Sequence, residues 1–421
     1  MNSSQQQEEK IMFTRFKISA SLMVVLALVV GCGRANATET AALPTITPTS
    51  QDTSTPLSPT TPSRITPTPA AYTACAGLIP ESTKDQVRQY VDQGLNVGIV
   101  VGIVTPCGRE VYAYGKTALS GGQAVDENTV FEIGSIGKTF TAVLLADMVE
   151  RNEVSFDDPI EKYLPAGVTV PKFEGQSITL IDLATHTSGL PYIPDNLPAD
   201  EKSPYADYTV EQMYEALAQI RLIHQIGFRY EYSNFGMGLL GHILSLRSGM
   251  SYEELVVTRI TNELGMSDTR SKLTPEMQDH LATGYRDGEQ FPLWYNPTLA
   301  GAGDLRSTVH DMLTYLAANV GLRNSRLYDA MQVTQEPRYP IDSTIKVGLV
   351  WQIHTRGDAR IVDHLGATGG YYGYAGFVKD KQTGVVVLTN TFHDVSDIGL
   401  DLLRSATTQT TAPTSTPTPL P

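Results

Sequence analysis

A chain of 421 residues with 45 acidic against 31 basic side chains carries a formal charge of −14, which disfavours nucleic acid and anionic lipid as its main partners. Its hydrophobic content of 41% suffices for a sizeable core, but both ends read as unfolded, so fewer domains are expected than the length alone suggests.

The N-terminus places Lys10, Arg15 and Lys17 before the apolar stretch Ile18 to Val30. That stretch is short for a membrane-spanning helix and suits the apolar part of an export signal. It runs into Val29-Val30-Gly31-Cys32, which resembles the lipobox of bacterial lipoproteins and predicts acylation of Cys32. An ordinary cleaved signal is the alternative, and both imply export. Residues 1–31 therefore read as a signal peptide and 32–73 as a tether, since Thr38 to Pro69 is dominated by threonine, proline and serine. No apolar period recurs there to repay the entropy of ordering, and an extended tether of this length reaches roughly 100 Å. With Cys32 acylated, Cys75 and Cys107 remain as a possible disulfide in an oxidising compartment.

The folded part is expected over 74–405. A first helix suits Ser82 to Gln93, with Ser82 as N-cap, and "VGIVVGIVTPCGREVYAYG" reads as a hairpin turning at Pro106-Cys107-Gly108. The run "KTFTAVLLADMVERN" predicts a helix apolar nearly all round, hence buried. From 157 to 305 the pattern is helical segments and long loops. A helix at "TVHDMLTYLAAN" follows, then strands at "GLVWQI", "ARIVDH", "YAGFVKD" and "GVVVLTN", and a last helix near "VSDIGLDLLRSA". Strands at both ends with helices between them predict an α+β fold. Its mainly antiparallel sheet is drawn from 74–156 and 306–405, flanked by N- and C-terminal helices, with a mostly helical domain, 157–305, inserted. Residues 406–421 form a second Thr/Pro tail.

The stretch "EIGSIGKTF" admits two chemistries. Gly137-Lys138-Thr139 could end a phosphate loop, but the first glycine of such a loop would fall at Glu132, whose charge repels phosphate. Ser135 and Lys138 form an S-x-x-K pair instead. At i and i+3 they share a helix face, the helix start offers N–H groups to an oxyanion, and apolar surroundings favour the neutral amine a base requires. Ser343 and Lys346 repeat the pattern in a loop leading into a strand, without those advantages.

Further along, Tyr232-Ser233-Asn234 is the only Y-x-N in the chain, and His364-Leu365-Gly366-Ala367 leads into a glycine-rich strand. S-x-x-K, Y-x-N and [KH]-x-G in this order resemble the class C β-lactamase and D-alanyl-D-alanine carboxypeptidase family of serine hydrolases, which also contains esterases. "ITLIDLATHTSGLP", "LGMSDTR" and "GAGDLRSTVHDMLTYL" extend the resemblance over nearly all of 74–405. It implies a β-lactamase/transpeptidase-like fold, Ser135 as nucleophile, and Lys138 and Tyr232 sharing the proton work. It further implies Asn234 hydrogen-bonded to Lys138 and substrate, and an oxyanion hole from the N–H groups of Ser135 and Ala367, with Gly366 and His364 beside the substrate.

His364 stands where the β-lactamases resemble Lys-Thr-Gly, and Leu365 lacks the hydroxyl that usually follows. A histidine near its ordinary pKa would recruit a carboxylate only when protonated, so binding of carboxylated substrates is expected to weaken through pH 6 to 7. His186 is read as structural, and Trp294-Tyr295 and Tyr371-Tyr372 as either cleft lining or core. The histidines show no ligand spacing, so neither a metal nor another cofactor is expected. The expected partner is a small-molecule or peptide acyl substrate, with membrane contact only through the lipid on Cys32. The expectation is an exported, membrane-anchored hydrolase acting through an acyl-Ser135; a penicillin-binding sensor that fails to turn over, or a structural surface protein, is the alternative.

Overall fold

The computed structural model describes residues 77–408 apart from 199, 201, 357 and 358, all within one unit, Thr66–Pro421. The segments expected to be a signal peptide and a tether, together with Cys32 and Cys75, lie outside the described residues; Cys107 is disulfide-bonded.

Helix α1 (Glu81–Asp92) opens the described chain. Its cap position is Pro80, not Ser82, because the fixed proline φ already points the chain into the helix and the Pro80 carbonyl accepts from Thr83 and Lys84. Strands β1 (Gly98–Thr105) and β2 (Gly108–Gly115) make the expected hairpin. The short β3 (Phe131–Glu132) leads to a tight turn at Gly134–Ile136 and helix α2 (Gly137–Glu150). Between 157 and 305 lie α3 (Leu180–Ala184), α4 (Val210–Gln219), α5 (Asn234–Ser248) and shorter helices. Two small ribbons join them, β4 (Lys172–Phe173) with β5 (Gln176–Ser177) and β6 (Gly284–Arg286) with β7 (Glu289–Phe291).

Then β8 (Arg306–Ser307) returns to pair with β3, and α6 (Val309–Asn319) and α7 (Tyr328–Thr334) follow. The remaining strands are β9 (Tyr339–Pro340), β10 (Ile345–Val347), β11 (Gln352–Arg356), β12 (Ala359–Ala367), β13 (Tyr372–Val378) and β14 (Thr383–Thr389), before α8 (Ser396–Thr408). The strand expected at "GLVWQI" begins only at Gln352. Ahead of it the backbone folds on itself, Gly348 N–H bonding to the Trp351 carbonyl and Val350 taking φ +71°, because this segment packs against the Thr334 carbonyl where a ladder would not fit.

One antiparallel sheet of eight strands, ordered β2-β1-β14-β13-β12-β11-β10-β9, joins both ends of the chain. Both of its faces are covered, so β1 reads as a continuous apolar run rather than an alternation. Val100 and Val104 face the main core with α2 and α6, while Ile99, Val101 and Ile103 face a second core with Val87, Ile398 and Leu403. Asp397 fastens the two terminal helices, accepting from Tyr90 (2.6 Å) and Gln86 (3.0 Å). Helix α2 runs through the main core, its Phe140 ring stacked on Tyr315 of α6 at 4.2 Å.

Candidate active site

The segment before α2 is shaped by close backbone contact. Gly134 takes φ +49°, and a Cβ on it would sit 2.7 Å from the Ala367 nitrogen. A Cβ on Gly366 would lie 2.0 Å from the Ile133 carbonyl oxygen, so only glycine lets the end of β12 cross over the Ser135 turn. Ser135 thus sits on the turn rather than in the helix, partly open to solvent, with the exposed Ala367 beside it.

Lys138, in the first turn of α2, is fully buried. Its Nζ lies 2.8 Å from Ser135 Oγ and donates to the Ala302 carbonyl at 2.5 Å. Burial with no carboxylate in contact holds the amine well below the ordinary lysine range, toward the neutral form. The Tyr232 ring lies across the same amine, its centroid 5.0 Å from Nζ. Burial pushes the Tyr232 phenol well above its ordinary pKa, and interaction with the Ser135 hydroxyl opposes this in part. Three groups from two distant stretches therefore meet: an amine whose burial favours its neutral form, an alcohol and a phenol.

Tyr232 precedes α5, which Ser233 caps by accepting from Gly236 N–H at 2.8 Å. His186 grips this approach at two points. Its carbonyl accepts from Glu231 N–H at 2.7 Å and its Nδ1 from Ser233 N–H at 3.1 Å. The imidazole also lies against the Tyr232 ring, with centroids 4.5 Å apart. Burial first, then the nearby Lys138, keeps it well below the usual histidine pKa. The role expected for His186, satisfying loop backbone, matches these bonds, but its contact with Tyr232 has no signature in the sequence.

Asn234 departs from expectation. Its side chain interacts with the Tyr192 phenol, while the Lys138 amine bonds to Ser135 and to the Ala302 carbonyl. Ala302 belongs to "GAGDLRST", a stretch noticed only for its resemblance. His364 stands beside Tyr232, with ring centroids 6.3 Å apart, and donates from Nδ1 to the Leu365 carbonyl at 2.6 Å. Burial, with Lys138 adding to it, brings its pKa down to about 3, so the loss of charge expected through pH 6 to 7 is moved well below that range. Gly366 and Ala367 border Ser135 as described. Tyr371 is core, its hydroxyl donating to the Ala282 carbonyl, and Tyr372 packs in the second core across the sheet; neither lines the cleft. Ser343 is exposed and Lys346 lies on β10, far from any comparable burial. Among the described residues no group of histidine, cysteine and carboxylate side chains could hold a metal ion.

The chain is similar to known proteins in sequence and in fold. The beta-lactamase family description matches residues 84–408. A beta-lactamase of Escherichia coli K12 is 28% identical over 366 residues, covering 76% of this chain and 94% of its own. The D-alanyl-D-alanine-carboxypeptidase/endopeptidase AmpH of the same organism is 28% identical over 329 residues, covering 73% and 84%. The crystal structure of a class C beta-lactamase from Rhodobacter sphaeroides superposes with a TM-score of 0.67 at 25% identity, covering 77% of this chain and 98% of that one. A beta-lactamase/D-alanine carboxypeptidase from Pseudomonas syringae gives a TM-score of 0.70 at 22% identity, covering 78% and 98%, and shares the fold. With motifs, architecture and matched length in agreement, the chain belongs to the beta-lactamase family of serine hydrolases.

Proposed function

We propose that this protein is an extracytoplasmic hydrolase that cleaves an amide or ester bond through an acyl-Ser135 intermediate. The observation carrying this reading is the 2.8 Å separation of Lys138 Nζ from Ser135 Oγ, with the amine buried beneath the Tyr232 ring. As Oγ bonds to the substrate carbonyl carbon, the neutral Lys138 amine takes the hydroxyl proton. The carbonyl oxygen, now an oxyanion, lies between the N–H groups of Ser135 and Ala367 at the start of α2. Tyr232, a neutral phenol, hands its proton to the leaving group and is reprotonated from Lys138. Water then attacks the Ser135 ester, and the same groups return the proton to Oγ.

Two lines bear on the substrate. The relatives named beta-lactamase and carboxypeptidase support a β-lactam or a D-alanyl-D-alanine peptide. The neutral His364 removes the charge that would meet a carboxylate, and favours an uncharged ester or amide. Export and anchoring through Cys32 rest on the N-terminal sequence; none of the described helices is long and apolar enough to cross a membrane.

A serine-directed fluorophosphonate is expected to label the purified chain at Ser135 and to leave S135A unlabelled. Lack of labelling in the wild type removes the reading. A chromogenic cephalosporin, a D-alanyl-D-alanine peptide and a short aryl ester then sort the substrate classes. One equivalent of product followed by silence indicates a sensor, and a linear phase indicates turnover. Because His364 is neutral above pH 5, the ratio of kcat/KM for a carboxylated ester to that for a neutral one is expected to stay flat from pH 5 to 8. A fall through pH 6 to 7 would restore a charged role for His364.

A further inference from the structure

Two residues outside the proton-transfer set lie on the strand pair that leads into the Ser135 turn. Glu132 ends β3, three residues before Ser135, and Arg306 stands directly opposite it in β8. Both are buried, at 3% and 1% exposure, and Arg306 Nη2 donates to Glu132 Oε1 at 2.9 Å. Arg306 Nη1 also donates to Asp304 Oδ1 at 3.2 Å and to the Ser271 carbonyl at 2.6 Å. Three charges taken out of water are expensive, and apolar side chains of similar size would hold a core at least as well. What apolar side chains would not supply is a set of aimed donors and acceptors.

All three groups converge on one short segment. Glu132 Oε1 accepts from Trp294 N–H at 2.8 Å, and Arg306 Nη2 donates to the Trp294 carbonyl. The guanidinium lies 4.5 Å from the Tyr295 ring centroid, and Asp304 Oδ1 accepts from Asn296 N–H at 2.9 Å. Residues 294 to 296 have no regular secondary structure of their own, so these grips are what define their path. The Trp294 indole nitrogen would lie 3.0 Å from a Cβ on Gly369, two residues beyond Ala367, and the ring meets Tyr205 edge-on at 5.6 Å. Tyr295 is 44% exposed beside it. The guanidinium nearest this surface is held between two buried carboxylates, so no free cation is offered there, and the side chains that present themselves are aromatic.

We infer that Glu132, Asp304 and Arg306 are positioning residues that splint Trp294 and Tyr295 into a rigid wall beside Ser135, and that this wall selects substrates with an apolar, aromatic acyl group. The inference rests on the acyl-Ser135 reading. Its test compares p-nitrophenyl benzoate with p-nitrophenyl acetate on the full chain, taking kcat and KM for each. The wild type is expected to favour the benzoate. The triple variant E132Q/D304N/R306M keeps a carbonyl acceptor at 132 and 304, leaves no unpaired buried charge, and removes the guanidinium. Its benzoate-to-acetate ratio of kcat/KM is expected to fall about 10-fold, through KM for the benzoate. R306K, which keeps the charge but not the fork, should move the ratio in the same direction. In a W351F background, which leaves Trp294 as the sole tryptophan, its emission should shift to the red in the triple variant. W294L removes the wall directly, so it tests the selection even where the triple variant fails to fold.

A ratio retained in W294L, or retained in a triple variant whose Trp294 emission has shifted, overturns the inference. Equal losses on both esters, carried by kcat, overturn it too, since they place the three charges in general integrity of the site. Absence of both labelling at Ser135 and hydrolysis in the wild type removes the acyl-Ser135 reading and this inference with it. Wild-type turnover with an unmoved ratio removes only the inference.

Discussion

A lysine becomes a base here by losing its solvent. Lys138 meets no carboxylate, and its burial outweighs what the Ala302 carbonyl and the Tyr232 ring offer its charge. Tyr232 must then be held at a fixed distance, and His186 does this from both sides of the chain. H186F keeps a ring beneath Tyr232 but loses the acceptor for Ser233 N–H, whereas the carbonyl of H186N can replace it. The expected result is a fall in kcat of up to about 100-fold for H186F, with KM changing much less, and recovery of most of the loss in H186N. Equal losses that track melting temperature would reduce His186 to packing. Ser135, Lys138 and Tyr232 were legible in the sequence because spacing and order carry them. The Ala302 carbonyl was not, since a backbone acceptor is contributed by position and not by residue type, and the Asn234–Tyr192 contact was not, since only the fold brings those two side chains together.

At the scale of elements, the apolar pattern gave α2, the β1–β2 hairpin and most sheet strands, because burial on all sides leaves a strong signature. Where a proline or a tertiary contact decided the geometry, the pattern misled, as at Pro80 and at the folded backbone before β11. The crossing of β12 over the Ser135 turn is the most demanding junction. Gly366→Ala would thrust a methyl group to within 2.0 Å of the Ile133 carbonyl, between backbones that are each fixed by other contacts. A loss of stability of about 3 kcal/mol is expected, at the upper end of overpacking costs, with a fall in kcat as Ala367 N–H leaves its place. Thermal unfolding checks the first part, and a variant that melts and acts like the wild type would show that β12 yields freely.

The whole molecule carries a net charge of −14 and buries several carboxylates, which makes its stability sensitive to pH. Asp311, near the start of α6, is pushed up to about 7, by burial first and then by the charge of Asp268, against hydrogen bonds from Thr269 and the Asp268 N–H. Its folded pKa exceeds the unfolded value of 3.8, so the folded state binds the proton more tightly. The stabilisation is complete at low pH and disappears as pH rises through about 7. Urea unfolding at pH 5 and pH 8 is expected to show a smaller pH difference for D311N than for the wild type. An unchanged difference would mean that Asp311 stays ionised in the fold.

The sheet has a further consequence for how such a chain can be made. Strand β1 finishes at Thr105, yet one of its two neighbours, β14, begins only at Thr383. A nascent polypeptide emerging N-terminus first therefore has an unfilled slot at the centre of its scaffold until β14 has been made. Closing so long a loop comes late and slowly.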